Sequence, residues 1–418
     1  MVEYALNLRG HMHDKDLYSQ VLGLTSPWKV KDVRLSMEEQ QVVVWIEWPE
    51  DCKVKCPDCS KEAIIYDHAE ERSWRHLDTC QFRTILRCRV PRVECPEHGV
   101  VTMNVPWAEP HSRFTMLFER FAIDMLQACQ NRTKGRTILK TSWDELNLIM
   151  RKAVERGMSR RKAEPIRYVG IDEKNFGKGH KFVTVMSDLD RGCVIDVAET
   201  NETKAIDSLW QMMPKTQRDG IEAVSMDMWE AFINSTRSNV KQADIVHDKF
   251  HIVSDLGDAV NDVRKKEHAM LLENKNESLK GTKFLWLKNP ERMTDNQKER
   301  FKELNKDQFA VGRAWNLKEL FRHFWDYVYV KPARDFFKRW YFAATHSRLA
   351  PIIKVARTIR NHFEDVITYL KHRITNAFAE GINSKIQQVK TVARGFRGFA
   401  NYRIAILFYC GKLDLYPR

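Results

Sequence analysis

Tyr168-Val-Gly-Ile-Asp-Glu173 holds the end of a short strand, read over Ile166–Asp172, that closes on Asp172. Upstream, Arg160-Arg161-Lys162 reads as a basic linker into it. Downstream, Lys181–Ser187 and Cys193–Ala198 read as two more strands, marked off by the turn-like Gly177-Lys-Gly179 and Asp190-Arg-Gly192. A helix over Thr203–Met213 follows, and then a short strand, Ala223–Met226, closed by Asp227.

Strand–strand–strand–helix–strand is the order of an RNase H-like α/β core, in which the first and fourth strands are neighbours. Asp172 and Asp227 would then leave the sheet at one edge. Carboxylates that close repel unless a cation stands between them. Mg²⁺, or Mn²⁺, takes oxygen ligands and keeps positions open for water and phosphate. A third acid from a helix packed on the sheet would complete a two-metal site. Glu380 fits that place, in Thr375-Asn-Ala-Phe-Ala-Glu-Gly-Ile-Asn383, with Phe378 and Ile382 for packing and Asn376 and Asn383 at helical distances. The catalytic and magnesium-binding set expected is therefore Asp172, Asp227 and Glu380. Asp188, Asp196, Glu230 and Asp248 compete with them, Asp248 most seriously. Lys385, Lys390, Arg394 and Arg397 follow the Glu and suit strand phosphates.

Six of the nine cysteines fall between Cys52 and Cys95. Cys56-Pro-Asp-Cys59 and Cys95-Pro-Glu-His98-Gly99 have the two-residue gap of zinc knuckles. Gly99 allows a positive φ after the second. Cys56, Cys59, Cys95 and His98 would close a tetrahedral shell, so the Zn²⁺ is expected to be structural; Cys52, Cys80, Cys88 and His76 are substitutes. Two strands precede the ribbon between residues 28 and 48. After it, Phe114, Leu117, Phe118, Phe121, Ala122, Met125 and Leu126 recur at helical spacing. Thr137-Ile-Leu-Lys-Thr-Ser-Trp-Asp-Glu-Leu146 reads as a helix-turn-helix with Thr141 or Ser142 as N-cap. Arg136, Lys140, Trp143, Arg151 and Lys152, continued by Arg160, Arg161 and Lys162, are its DNA-facing candidates. Helices are read from Ser235 to the end, a fresh one starting at Asn289-Pro-Glu-Arg-Met-Thr-Asp295, with Trp286, Trp315, Trp325 and Trp340 as helical core.

The 418 residues suggest two to four domains. The boundaries read are 1–106 (β and zinc ribbon), 107–165 (helix-turn-helix and linker), 166–234 with 374–418 (RNase H-like catalytic domain), and 235–373 (all-α insertion). The fold class is thus multidomain α+β. The formal charge of +13 is concentrated: residues 131–167 and 357–418 each hold 11 basic against 4 acidic residues. Localised basic charge is the footprint of polyanion binding. Apolar runs such as Val42–Trp48 are far too short to span a bilayer, and no secretory pattern opens the chain, which points to a cytoplasmic protein.

With those residues in view, the chain resembles the ISL3 class of bacterial insertion-sequence transposases, of the DDE type. The resemblance rests on the two knuckles, Tyr168-Val-Gly-Ile-Asp-Glu173, Ser225-Met-Asp-Met-Trp229 and His247-Asp-Lys-Phe-His251. It extends through Gly281-Thr-Lys-Phe-Leu285, Asn289-Pro-Glu-Arg-Met-Thr294 and Glu380-Gly-Ile-Asn383, on to Gly395-Phe-Arg397. It implies a ribbon and helix-turn-helix that bind terminal inverted repeats of double-stranded DNA, and a catalytic core interrupted by helices before the last acid. It also implies DNA cleavage and strand transfer, work on the bacterial nucleoid, and a homodimer or larger assembly on the two element ends. No membrane and no small-molecule cofactor are implied. A His stands where a fourth Cys is common, and Thr375-Asn-Ala377 stands where the family often has Ser-Asn-Gly. A non-catalytic DNA-binding regulator and an RNase H-like nuclease are the alternatives.

Overall fold

The structure, a computed structural model, describes residues 13–49, 52–177, 181–304, 308–374 and 377–418, apart from the side chains of residues 377–380. Lys178 and Gly179 of the expected turn, and Thr375 and Asn376, thus lie outside the described residues. The chain forms two compact units, Met1–Arg161 with Leu413–Arg418, and Lys162–Lys412.

In the first unit, Gln41–Glu47 alternates buried and half-buried residues, so Val42, Val44 and Ile46 face one core. It lies between Lys29–Ser36 and Arg83–Cys88, and Arg72–Arg75 closes that sheet. Trp28 stands edge-on to Trp48 and Trp107, with Trp74 against Trp107, all at centroid separations of 5.0–5.5 Å. A second sheet, in the order Val54–Lys55, Glu62–His68, Pro91–Cys95, Gly99–Thr102, carries the two knuckles at its hairpins. Helices Met116–Cys129, Arg132–Leu139 and Trp143–Arg160 follow. Thr115, Asn131 and Ser142 cap them, and Ser142 with Glu145 forms a full capping box. Arg156, on the last of these helices, is buried between Glu109 (2.6 Å) and Glu119 (2.9 Å) and also donates to the Leu415 carbonyl (2.5 Å). The last six residues are expected, from the sequence, to belong to the catalytic domain. They group instead with the helix-turn-helix, because they satisfy Arg156 and Arg160 there.

The second unit is built on one sheet, in the order Cys193–Ala198, Phe182–Asp188, Tyr168–Asn175, Ala223–Met226, Asp244–His247. The first three strands pair antiparallel, and the last two join in parallel. Gly170 lets Leu189 pack closely: a Cβ there would lie 2.8 Å from the buried Leu189 side chain, which would have to shift. The fifth strand departs from the expectation of helices alone after Ser235. Four residues are too few to show a strand period, and its ladder hydrogen bonds come from its place beside Ala223–Met226. Helices follow from Lys249–Glu273 onward, around an aromatic core in which Trp286, Trp325 and Trp340 are buried and Trp315 packs at the edge. The fresh helix start is present: Thr294 and Gln297 form a capping box ahead of Asp295–Glu303. Helices Ala377–Val392 and Phe399–Cys410 end the unit, with Arg403 gripping the buried Asp196 through two bonds of 2.6 and 2.7 Å.

Candidate active site and zinc centre

Ala223–Met226 pairs in parallel with the first core strand, Ser225 opposite Gly170. Two residues further along each strand stand Asp227 and Asp172, so parallel pairing carries both acids to one edge. Adjacent strands lie about 4.8 Å apart. Both acids line a cleft of about 370 Å³ together with Asp248, His251 and Asn383. Asp172 Oδ2 accepts from Asn383 Nδ2 (2.6 Å) and pairs with Lys174 (2.8 Å). Asp227 Oδ1 accepts from the Met228 amide (2.6 Å). Asp248 caps the long helix Lys249–Glu273 through the Phe250 amide (2.7 Å). The His251 ring stands between the two, 3.7 Å from an oxygen of each. Burial raises the Asp248 carboxyl above its ordinary value, and the charges of Asp172 and Asp227 add to that rise.

Three carboxylates therefore share a cleft whose described lining holds no Lys or Arg. Asp172 is paired with Lys174 from beside the cleft, and the clustered hard oxygen donors fit a hard divalent cation of the Mg²⁺ kind. Glu380 falls on helix Ala377–Val392, but its side chain lies outside the described residues. Asn383, one turn later, is the residue of that helix seen to reach Asp172. Asp248 is one of the competing acids expected from the sequence, and His251 is not among the expected site residues. Their signal was the Asp-Lys-Phe-His string, which spaces an N-cap acid and a His by three residues, one helical turn.

The basic residues divide. Lys390, Arg394 and Arg397 line an open groove of about 1190 Å³ with Phe176 and Gln387. Lys390 is held there by the Asn175 carbonyl (2.6 Å). Lys385 is exposed at a neighbouring hollow. On the helix-turn-helix, Arg136 and Arg151 are exposed, Lys152 is half-buried and Trp143 is stacked on by Arg132. Lys140 donates to the Gln81 carbonyl (2.9 Å), and Arg160 to that of Tyr416 (2.6 Å), so both are engaged within the unit. Arg161 closes helix Trp143–Arg160 as its C-cap, and Lys162 is exposed.

Cys56, Cys59, Cys95 and His98 converge, their ligand atoms all within 4.8 Å of one another. Cys59 Sγ is 3.6 Å from Cys95 Sγ, and His98 Nδ1 is 3.5 Å from Cys95 Sγ and 3.8 Å from Cys56 Sγ. Bonds of about 2.3 Å to a tetrahedral centre give S–S edges of about 3.8 Å, so the four fit a zinc ion. Gly99 has φ +66°, as the second knuckle requires. The backbone amide of Glu97, with His98 beside it, pulls the Cys95 thiol down to about 6, toward the thiolate zinc binds. Of the substitutes, Cys88 is buried in the sheet core with Cys52 packed at its edge, His76 meets the Thr115 hydroxyl at 2.9 Å, and Cys80 is exposed.

Comparison with known proteins follows the same division. Residues 169–406 match the DDE model of the ISL3 family, described as a transposase. Residues 53–98 match the zinc finger of the IS204/IS1001/IS1096/IS1165 transposases. Residues 103–154 match the helix-turn-helix domain of transposase family ISL3. The transposase for insertion sequence element IS1557 of Mycobacterium tuberculosis is 24% identical over 438 residues, covering 97% of this chain and 98% of that protein. The transposase for IS1001 of Bordetella parapertussis is 23% identical over 369 residues, covering 84% and 91%. No helix among the described residues is long and apolar enough to cross a membrane.

Proposed function

The chain belongs to the ISL3 family of DDE transposases, and on that premise we propose that Asp172, Asp227 and Glu380 hold the divalent cations with which it cuts and joins DNA. The sheet, read with the helices that pack on it, is then an RNase H-like core, and the helices from Lys249 to His372 interrupt it before the last acid. Bound Mg²⁺ would supply an activated nucleophile on one side of the scissile phosphate and charge stabilisation of the leaving oxygen on the other. The chain's own residues do the positioning. Asn383 fixes one oxygen of Asp172 and so leaves the other to face the cleft. The Met228 amide does the same for Asp227. Lys385, Lys390, Arg394 and Arg397 neutralise phosphates of the strand being cut, while the helix-turn-helix holds the element's end. Each end needs its own reader and cleft, which points to a dimer or larger assembly on paired ends.

The parallel register of Ala223–Met226 on Tyr168–Asn175 carries this reading, since it brings two acids distant in sequence to one edge. The test is cleavage of a duplex bearing the element's terminal repeats, with Mg²⁺. Asp227→Asn should bind the duplex as the wild type does and cut it about a thousandfold more slowly, the scale of several kcal/mol of lost metal stabilisation. Wild-type cutting by that variant would refute the role of Asp227.

A further inference from the structure

The His247-Asp-Lys-Phe-His251 string begins with a residue that the acidic cleft does not use. His247 ends the fifth strand and is fully buried, yet neither ring nitrogen makes a hydrogen bond. A neutral imidazole has one donor and one acceptor, and leaving both unmet inside a fold is costly. What surrounds the ring is a second imidazole and a carboxylate. His362 meets it edge to face, 5.4 Å between centroids, and Asp365 Oδ2 stands 3.8 Å from its Nε2. One ligand atom from each of the three lies within 4.8 Å of the other two. His362 caps helix Ala350–Asn361 and Asp365 lies in Phe363–Ile367. Both are half-buried, so an ion would reach the cluster from their side.

We propose that His247, His362 and Asp365 form a second metal site, separate from the acidic cleft and from the ribbon, for a borderline divalent cation such as Zn²⁺. Two imidazoles and one carboxylate are a nitrogen-rich set that suits Zn²⁺ and not Mg²⁺, with water completing the shell. Nε2, the ring nitrogen that stands 3.8 Å from Asp365 Oδ2, is the one set to face the ion. Arg237 Nη2, 2.9 Å from the same Asp365 oxygen and itself 60% exposed, is the competing cation and has solvent to move into. An ion here would fasten the end of the fifth strand to the helices beside it, one residue from Asp248 in the cleft.

The proposal does not depend on the catalytic reading, and its test measures metal, not cutting. The full-length chain is equilibrated with Zn²⁺ in excess Mg²⁺, desalted, and assayed for bound zinc and for folded content. The wild type should retain about two equivalents, one of them in the ribbon. His362→Gln and Asp365→Asn, at half-buried positions, should each fall to about one. Cys95→Ser should keep about one, bound with no thiolate-to-metal band when Co²⁺ replaces Zn²⁺. Arg237→Gln should bind the second equivalent severalfold more tightly. One equivalent in the wild type, or two retained by both His362→Gln and Asp365→Asn, would overturn the site.

Discussion

Replacing Arg156 by Met removes the cation at the centre of the first unit while keeping much of its volume. Two charge-assisted bonds to Glu109 and Glu119 and one to the Leu415 carbonyl disappear together. The Glu119 side chain is 2% exposed and would keep only the Ser112 hydroxyl at 2.7 Å. Breaking a buried pair from one side costs about 3–5 kcal/mol, because the remaining charge stays buried. For a unit of this size each kcal/mol lowers the melting temperature by about 2–4 °C, so a fall of about 6–20 °C is expected. The assay is scanning calorimetry of the zinc-loaded chain, with the first unit's transition identified by its sensitivity to chelator. Binding to terminal repeats should be lost at correspondingly lower temperature, since the reader helix Trp143–Arg160 and the tail Leu413–Arg418 share this network. Adding Glu119→Gln to Arg156→Met should recover part of the loss, because no buried charge is then left over. A loss below about 1 kcal/mol, or a double variant no better than the single one, would refute the argument.

Cys95→Ser should abolish zinc binding at the ribbon and melt the sheet Val54–Thr102. Structural zinc contributes about 10–16 kcal/mol of binding energy in small modules, and circular dichroism with and without chelator measures the difference. Acid should weaken the first unit through His76, whose pKa burial pushes down to about 4. The folded state keeps this ring neutral, and the unfolded chain gains a proton below about 6.5. Stability is therefore full above that pH and lost as pH falls toward 4, by at most about 3 kcal/mol. Melting at pH 7 and pH 5 checks this, and His76→Gln should flatten the slope. Arg394→Ala and Arg397→Ala should weaken DNA binding without regard to sequence, and each should reduce the salt slope by about one; an unchanged slope would place these residues away from phosphate.

Local chemistry along the chain was enough to read several parts. Ser142 and Glu145 sit at capping-box spacing, and the box forms because both partners lie within one turn. Cys56, Cys59, Cys95 and His98 each belong to a two-residue knuckle, so half of each ligand pair is set by its own hairpin. Tyr168-Val-Gly-Ile-Asp172 marks a strand that carries an acid, and the strand order implies its neighbour, but the strand does not end at Asp172: it runs on to Asn175 because Phe182–Thr184 pairs with those residues. Other features depend on partners far away in the chain. Asp244–His247 is a strand only because Ala223–Met226 lies beside it. Arg156 looks like one more basic residue of a DNA reader until Glu109, Glu119 and the Leu415 carbonyl close around it. Asp248 and His251 join the cleft because the fifth strand delivers them there. Caps, knuckles and the strands long enough to show a period follow from the order of residues alone, since those are decided within a few residues by period, turn and ligand spacing. Only the tertiary structure decided which charges are buried, which acids converge and where the chain's last residues lie, because those depend on register and burial between segments that the order of residues does not bring together.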